Sequence, residues 1–123
     1  MREFDLEDRL VEFSTLIMVI VKCLPKTING IQLARQLAGS GTSVALHYGE
    51  AQSAESRRDF IHKMKVVLKE LRETFICLKL ITKSNTLTED PRLYTALREN
   101  NELIAIFVKS IDTARANDPN PNQ

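Results

Sequence analysis

From Phe60 onward, every third or fourth residue is apolar or small: Phe60, Met64, Val67, Leu71, Thr74, Leu78 and Ile81. That 3,4 spacing is the period of an amphipathic helix with one buried seam. A second row begins two residues earlier and reads Arg58, His62, Lys65, Lys69, Arg72, Ile76, Lys79 and Lys83, with no acid in it. Two positions along a helix turn the side chain by about 200°. The basic row therefore lies opposite the seam, so one face asks for a helical partner and the other presents cations to the outside.

The same periodicity predicts four helices. The first runs from about Asp5 to Leu24 and stops at Pro25, which cannot continue the hydrogen-bond ladder. The second starts at Thr27 as N-cap and reaches about Ala54, with Ile28, Ile31, Leu37, Val44 and Tyr48 on its apolar face. It contains Gly39-Ser40-Gly41, and a glycine inside a helix costs about 1 kcal/mol relative to alanine. The apolar phase resumes beyond the glycines, so the helix is expected to continue there, with the small residues admitting a neighbouring backbone. The third covers about Glu55 to Lys83. The fourth covers about Glu89 to Ala116, opened by Thr86 in a capping box with Glu89 or by Thr88. Residues 117–123 hold two prolines and no large apolar side chain, and a disordered tail is expected. Strand-like alternation and repeats are missing from the sequence.

Four helices with short connections predict an all-α, antiparallel up-down bundle over residues 1–116. Helices 1 and 4 carry more apolar surface than one seam uses, in Leu16–Leu24 and Leu103–Val108. A helix that is apolar all round needs cover on both sides, so a homo-oligomer is expected.

Charge refines this picture. The 123 residues have a net charge of only +1, but the distribution is uneven. Residues 1–21 hold two bases against five acids, residues 22–83 eleven against five, and residues 84–123 four against six. A basic middle lies between acidic flanks. Lys22, Lys26, Arg35 and Arg57 could join the field of the helix 3 row if packing brings them near. The acidic N-terminus lacks the pattern of a signal peptide, and no apolar run approaches the ~20 residues of a membrane span. Cys23 and Cys77 lack metal-ligand spacing and read as buried free thiols of a cytoplasmic protein.

Catalytic chemistry finds little support. His47 and Glu50 are three apart, a spacing by which helical side chains share a metal, but di-iron bundles need two such pairs and further glutamates. Ser40, Ser43 and His47 lack any acid in sequence to orient the imidazole. No catalytic residue, metal or cofactor is expected. The candidate site is the basic row Arg58, Lys65, Lys69, Arg72, Lys79 and Lys83; its Lys65–Lys83 part is about 27 Å long at 1.5 Å per residue. No aromatic interleaves with it, so nucleic acid held there is held by its backbone.

The order of several short motifs resembles the four-helix-bundle family of 23S rRNA intervening-sequence proteins, which includes the accessory variability proteins of bacterial diversity-generating retroelements. The segments are Leu33-Ala-Arg-Gln-Leu37, Gly39-Ser-Gly41, Ser43-Val-Ala-Leu-His-Tyr-Gly-Glu-Ala51, Asp59-Phe60 and Lys69-Glu-Leu-Arg-Glu-Thr74. His47 stands where the family usually has asparagine, and Ala51 where glycine is common. The resemblance implies a homopentameric, ring-like barrel of bundles with no enzymatic activity. In the retroelement branch it implies a basic scaffold that binds nucleic acid and a reverse transcriptase. Arg35, Glu50 and Glu73 are candidates for structural ion pairs between helices 2 and 3. The function expected is thus a non-catalytic oligomeric scaffold that binds RNA or DNA backbone. The alternative is a protein-interaction module whose charged face meets an acidic partner or solvent alone.

Overall fold

The computed structural model describes residues 5–119, which form α1 (Leu6–Cys23), α2 (Ile28–Gln52), α3 (Arg57–Lys83) and α4 (Pro91–Ala116). Each helix starts on a side chain that accepts an otherwise unpaired amide of the first turn. Asp5 accepts from the Asp8 amide, Thr27 from Gly30, Ser56 from Asp59 and Asp90 from Arg92. The last of these corrects the expected start of the fourth helix. Thr86 belongs to the end of α3, where its amide donates to the Ile81 carbonyl (3.2 Å) while that of Asn85 donates to Thr82 (3.3 Å). Asn85 has φ 56°, the left-handed conformation that closes a helix in this way. The chain then turns, and Pro91 enters α4 at its first turn, where its missing amide hydrogen costs nothing.

The helices pack as a four-helix bundle, each against two neighbours: α1 with α2 and α4, and α3 with α2 and α4. No strand occurs among the described residues. The α3 seam is buried from Met64 to Ile81, with Phe60 half-buried at its start. Leu10, Phe13, Ile17 and Ile20 of α1 and Leu93, Leu103, Phe107 and Ile111 of α4 are buried in the same core. Tyr48 of α2 meets the Phe107 ring edge-on, with centroids 5.9 Å apart. Asn100, fully buried, binds the α3 backbone: with its amide oriented to satisfy both groups, it donates to the Leu71 carbonyl and accepts from the Phe75 amide. At the rim, Arg9 of α1 makes a paired contact with Glu99 of α4 (2.6 and 2.7 Å) and reaches Glu102. That carboxylate cluster holds the guanidinium charged.

α2 is continuous through Gly39-Ser40-Gly41, as expected, and the inferred face holds at Leu37, Val44 and Tyr48 but fails at the N-terminal end. Ile28 and Ile31 are exposed, and Gly30, Leu37, Gly41, Val44, Tyr48 and Ala51 are buried. Glycines occupy two core positions because neighbouring chain segments leave no room there. A Cβ on Gly30 would overlap the Pro25 carbonyl, and one on Gly41 would stand 2.6 Å from Cγ2 of Ile17. Ser14 of α1 takes advantage of the close approach and donates to the Gly41 carbonyl (2.8 Å). Gly39 is different: it is exposed, and no atom of another helix lies within 4 Å of its added Cβ.

The apolar excess is also redistributed. On α1 only Val11 and Met18 among large apolar side chains are exposed, and on α4 only Tyr94. The larger share, Ile28, Ile31, Leu46, Ile76 and Leu80, lies on α2 and α3. Cys77 is buried, with burial pushing its thiol pKa up, whereas Cys23 is half-buried beside Arg92 Nη2 (3.1 Å) and not buried as expected. No helix among the described residues is long and apolar enough to cross a membrane. Of the expected polar tail, Asn117 ends α4 as its C-cap, and residues 120–123 lie outside the described residues.

The two central glycines should respond oppositely to the same change. Gly39→Ala should stabilise the protein by about 1 kcal/mol, the helix-propensity difference alone. Gly41→Ala should destabilise it by about 1–3 kcal/mol, because the fully buried, β-branched Ile17 cannot move aside without strain. Urea denaturation of both variants checks the signs.

Candidate nucleic-acid interface

Burial of the Met64–Ile81 seam leaves the opposite side of α3 facing out. Arg58, His62, Lys65, Lys69, Arg72, Ile76, Lys79 and Lys83 are all exposed. Among the described residues, no carboxylate comes within 4.0 Å of Lys65, Lys69, Arg72 or Lys83. Lys79 leans over the Phe75 ring, 5.0 Å from its centroid. The acids of α3 are engaged elsewhere or lie off the row. Asp59 pairs with Lys63 (3.0 Å), which lowers the carboxyl pKa, and Glu70 turns towards α2. Arg57 does not extend the row either, since it donates to the Ala114 carbonyl at the end of α4 (3.4 Å). Six cations and one histidine thus stand along one straight edge.

The polar link between α2 and α3 is not the one expected. Arg35, Glu50 and Glu73 are exposed, and no ion pair joins them among the described residues. Their positions lie outside the seam, where each side chain reaches water more easily than a partner. Glu70, with only 15% of its side chain exposed, makes the link instead. One of its oxygens lies 2.6 Å from His47 Nδ1, and the other accepts from Ser43 Oγ (2.7 Å). A carboxylate only accepts, so Nδ1 carries the proton and Nε2 is the ring nitrogen left open. Deeper in the same contact, Thr74 Oγ1 lies 2.9 Å from Ser40 Oγ and 2.8 Å from the Glu70 carbonyl.

The acid orienting His47 therefore exists, supplied by α3 rather than by sequence neighbours. Ser43 faces Glu70 and not the open imidazole nitrogen, so the three groups form a structural clasp rather than a nucleophile and its base. Ser43 and His47 are one turn apart on α2, a visible signal. The identity of their partner needed the pairing of the two helices.

Beside the clasp, a groove of about 570 Å³ opens between α2 and α3. Leu33, Ile76 and Leu80 wall it, and Arg35, Ser40 and Glu73 supply polar groups. Ile76 and Glu73 also border the surface around Lys65, Lys69 and Arg72, so groove and basic row are contiguous. Among the described residues, no group of three or more His, Cys, Asp and Glu side chains is placed to hold a metal ion.

Residues 2–109 match the family described as 23S rRNA-intervening sequence protein. The chain belongs to this family. A crystal structure of a protein of unknown function from the S23 ribosomal protein family of Bacteroides thetaiotaomicron is similar, with a TM-score of 0.78. The two are 27% identical, and the match covers 87% of this chain and 98% of that one. No curated protein matches the chain. The match runs through all of α1, α2 and α3 and into α4, so it includes the basic row, the clasp and the groove.

The clasp gives a discriminating pair of variants. Glu70→Ala should cost about 1–3 kcal/mol, because it leaves His47 Nδ1 at a half-buried contact without its acceptor, while Ser43 Oγ keeps the Gly39 and Ser40 carbonyls. Glu73→Ala, one turn away and exposed, should change stability by less than about 0.5 kcal/mol. Thermal or denaturant melts of the two proteins measure the difference.

Proposed function

We propose that this protein is a non-catalytic scaffold that binds RNA or DNA backbone along the outer edge of α3. The observation that carries this reading is the run of exposed cations without acidic partners, Lys65, Lys69, Arg72 and Lys83. With Lys79 it extends about 27 Å along a rigid helix. Fixed positive charges at successive turns neutralise successive phosphates and release their counterions. A helix that is already folded and packed spends no ordering entropy in presenting them. The family description, which names a ribosomal RNA, agrees with this reading.

The scaffold is an antiparallel up-down bundle in this reading. Along the α2–α3 contact, Leu33 lies beside Cys77, Ser40 beside Thr74 and His47 beside Glu70, so residue numbers rise on one helix as they fall on the other. Copies assemble into a ring in the cytoplasm, and five copies is the number the family resemblance implies. Exposed Ile28, Ile31, Leu46 and Met18 are available for such contacts. The alternative is a module that meets an acidic protein with the same edge, favoured by exposed Ile76 and Leu80 beside the cations. A salt-sensitive pull-down that survives nuclease treatment would select it.

Fluorescence anisotropy of labelled RNA and DNA across a salt series tests the primary reading. Binding should weaken linearly on a log–log plot, and replacing Lys65, Lys69 and Arg72 together by glutamine should flatten the slope by about 2–3. Unchanged affinity in a folded triple variant would refute the assignment.

A further inference from the structure

The groove between α2 and α3 has a lining unlike the row beside it. Its walls are apolar, with Ile76 and Leu80 each more than half exposed (54% and 52%) and Leu33 half-buried. Its polar groups are mixed. Arg35 and Gln36 donate, whereas Glu73 accepts. Glu70 and Glu73 would repel a phosphate, so the anionic backbone stays on the lysines outside. A flat heteroaromatic ring has opposite requirements: apolar contact on its faces, and donors and acceptors at its edge. At about 570 Å³ the groove falls in the range of small-ligand sites, roughly 300–1,000 Å³.

Gly39 supplies a second, independent observation. It lines the groove in the middle of α2, it is exposed, and no atom of another helix lies within 4 Å of where its Cβ would be. Gly30 and Gly41 are required by neighbouring chain atoms; Gly39 is not. The missing side chain keeps the groove open at the expense of helix propensity.

Groove and row meet along Glu73 and Ile76, with Lys69 and Arg72 on the far side of that boundary. We propose that the groove receives an unpaired nucleobase of the strand whose phosphates lie on the α3 row. The inference rests on the phosphate-binding reading of that row and narrows its ligand to single-stranded or locally unpaired nucleic acid. In a paired duplex the base edges are already engaged and the rings stacked, so entry would require a base to leave the helix. Ile76, the one apolar member of the row, then becomes the step over which the base passes from backbone to groove. Arg35 and Gln36 meet acceptors on the base edge, and Glu73 meets an exocyclic amino group.

The test uses a single-stranded RNA long enough to span the row and the duplex it forms with its complement, titrated by anisotropy at fixed salt. The protein should bind the single strand about tenfold more tightly than the duplex. Gly39→Phe adds a ring at the groove without meeting another helix at its Cβ. It should remove about that tenfold preference and leave duplex affinity within about twofold. Gly39→Ala serves as the control, with affinities unchanged, and circular dichroism verifies that both variants keep their helices. Equal binding of both polymers by the parent protein, or a Gly39→Phe variant that retains the preference, overturns the proposal. The two readings separate cleanly. If the Lys65, Lys69 and Arg72 triple variant loses binding while Gly39→Phe does not, the groove assignment falls and the row stands. If the triple variant keeps its affinity, the row assignment falls and the groove assignment falls with it.

Discussion

Burial of the α3 seam is the constraint on which the rest of the structure depends. Met64, Val67, Leu71, Leu78 and Ile81 are removed from water almost entirely, and each such side chain contributes on the order of 1.5–3 kcal/mol by burial. Turning α3 by half a revolution would forfeit that stabilisation and bury lysines and arginines, whose charged heads resist leaving water. The rotation of α3 is therefore fixed by packing, and the position of its cations follows from it. The site is a consequence of the core.

The α2 helix is held by a different balance. Its apolar moment is weaker than that of α3, and glycines take up part of the core-facing row where other helices use leucine or isoleucine. Close approach replaces side-chain volume: Gly41 lets Ile17 and Ser14 of α1 reach the α2 backbone, and Gly30 accommodates the turn at Pro25. On the α3 side the contact is partly polar, through Glu70 with Ser43 and His47 and through Thr74 with Ser40. A contact built from small and polar residues leaves the outer seam between the helices open. That open seam is the groove beside the basic row.

Charge sorting links this architecture to function. A molecule with net charge +1 has little general attraction for a polyanion, so the proposed binding rests on local arrangement. α3 supplies it by directing Glu70 inward and pairing Asp59 with Lys63. The lysines of the outward row are left without acids of their own. The matched region of the 23S rRNA-intervening sequence protein family, residues 2–109, includes this edge.

Several features were legible from residue order alone. The 3,4 spacing from Phe60 to Ile81 located α3, its buried face and its outward cations, because helical period and hydrophobicity are local properties of the chain. Pro25 and Thr27 marked helix ends for the same reason. Features that depend on two segments meeting were decided only by the tertiary structure. Ile28 and Ile31 looked like core and are exposed, because the α2 face is chosen by where glycine permits α1 and the Pro25 turn to approach. Glu73 and Arg35 looked like partners, but Glu70 is the residue that faces His47. The groove lies between two helices, and the sequence carries no term for the space between them. Periodicity determines what one helix must bury; the neighbours it meets determine what stays open, since that is set by contacts between residues distant along the chain.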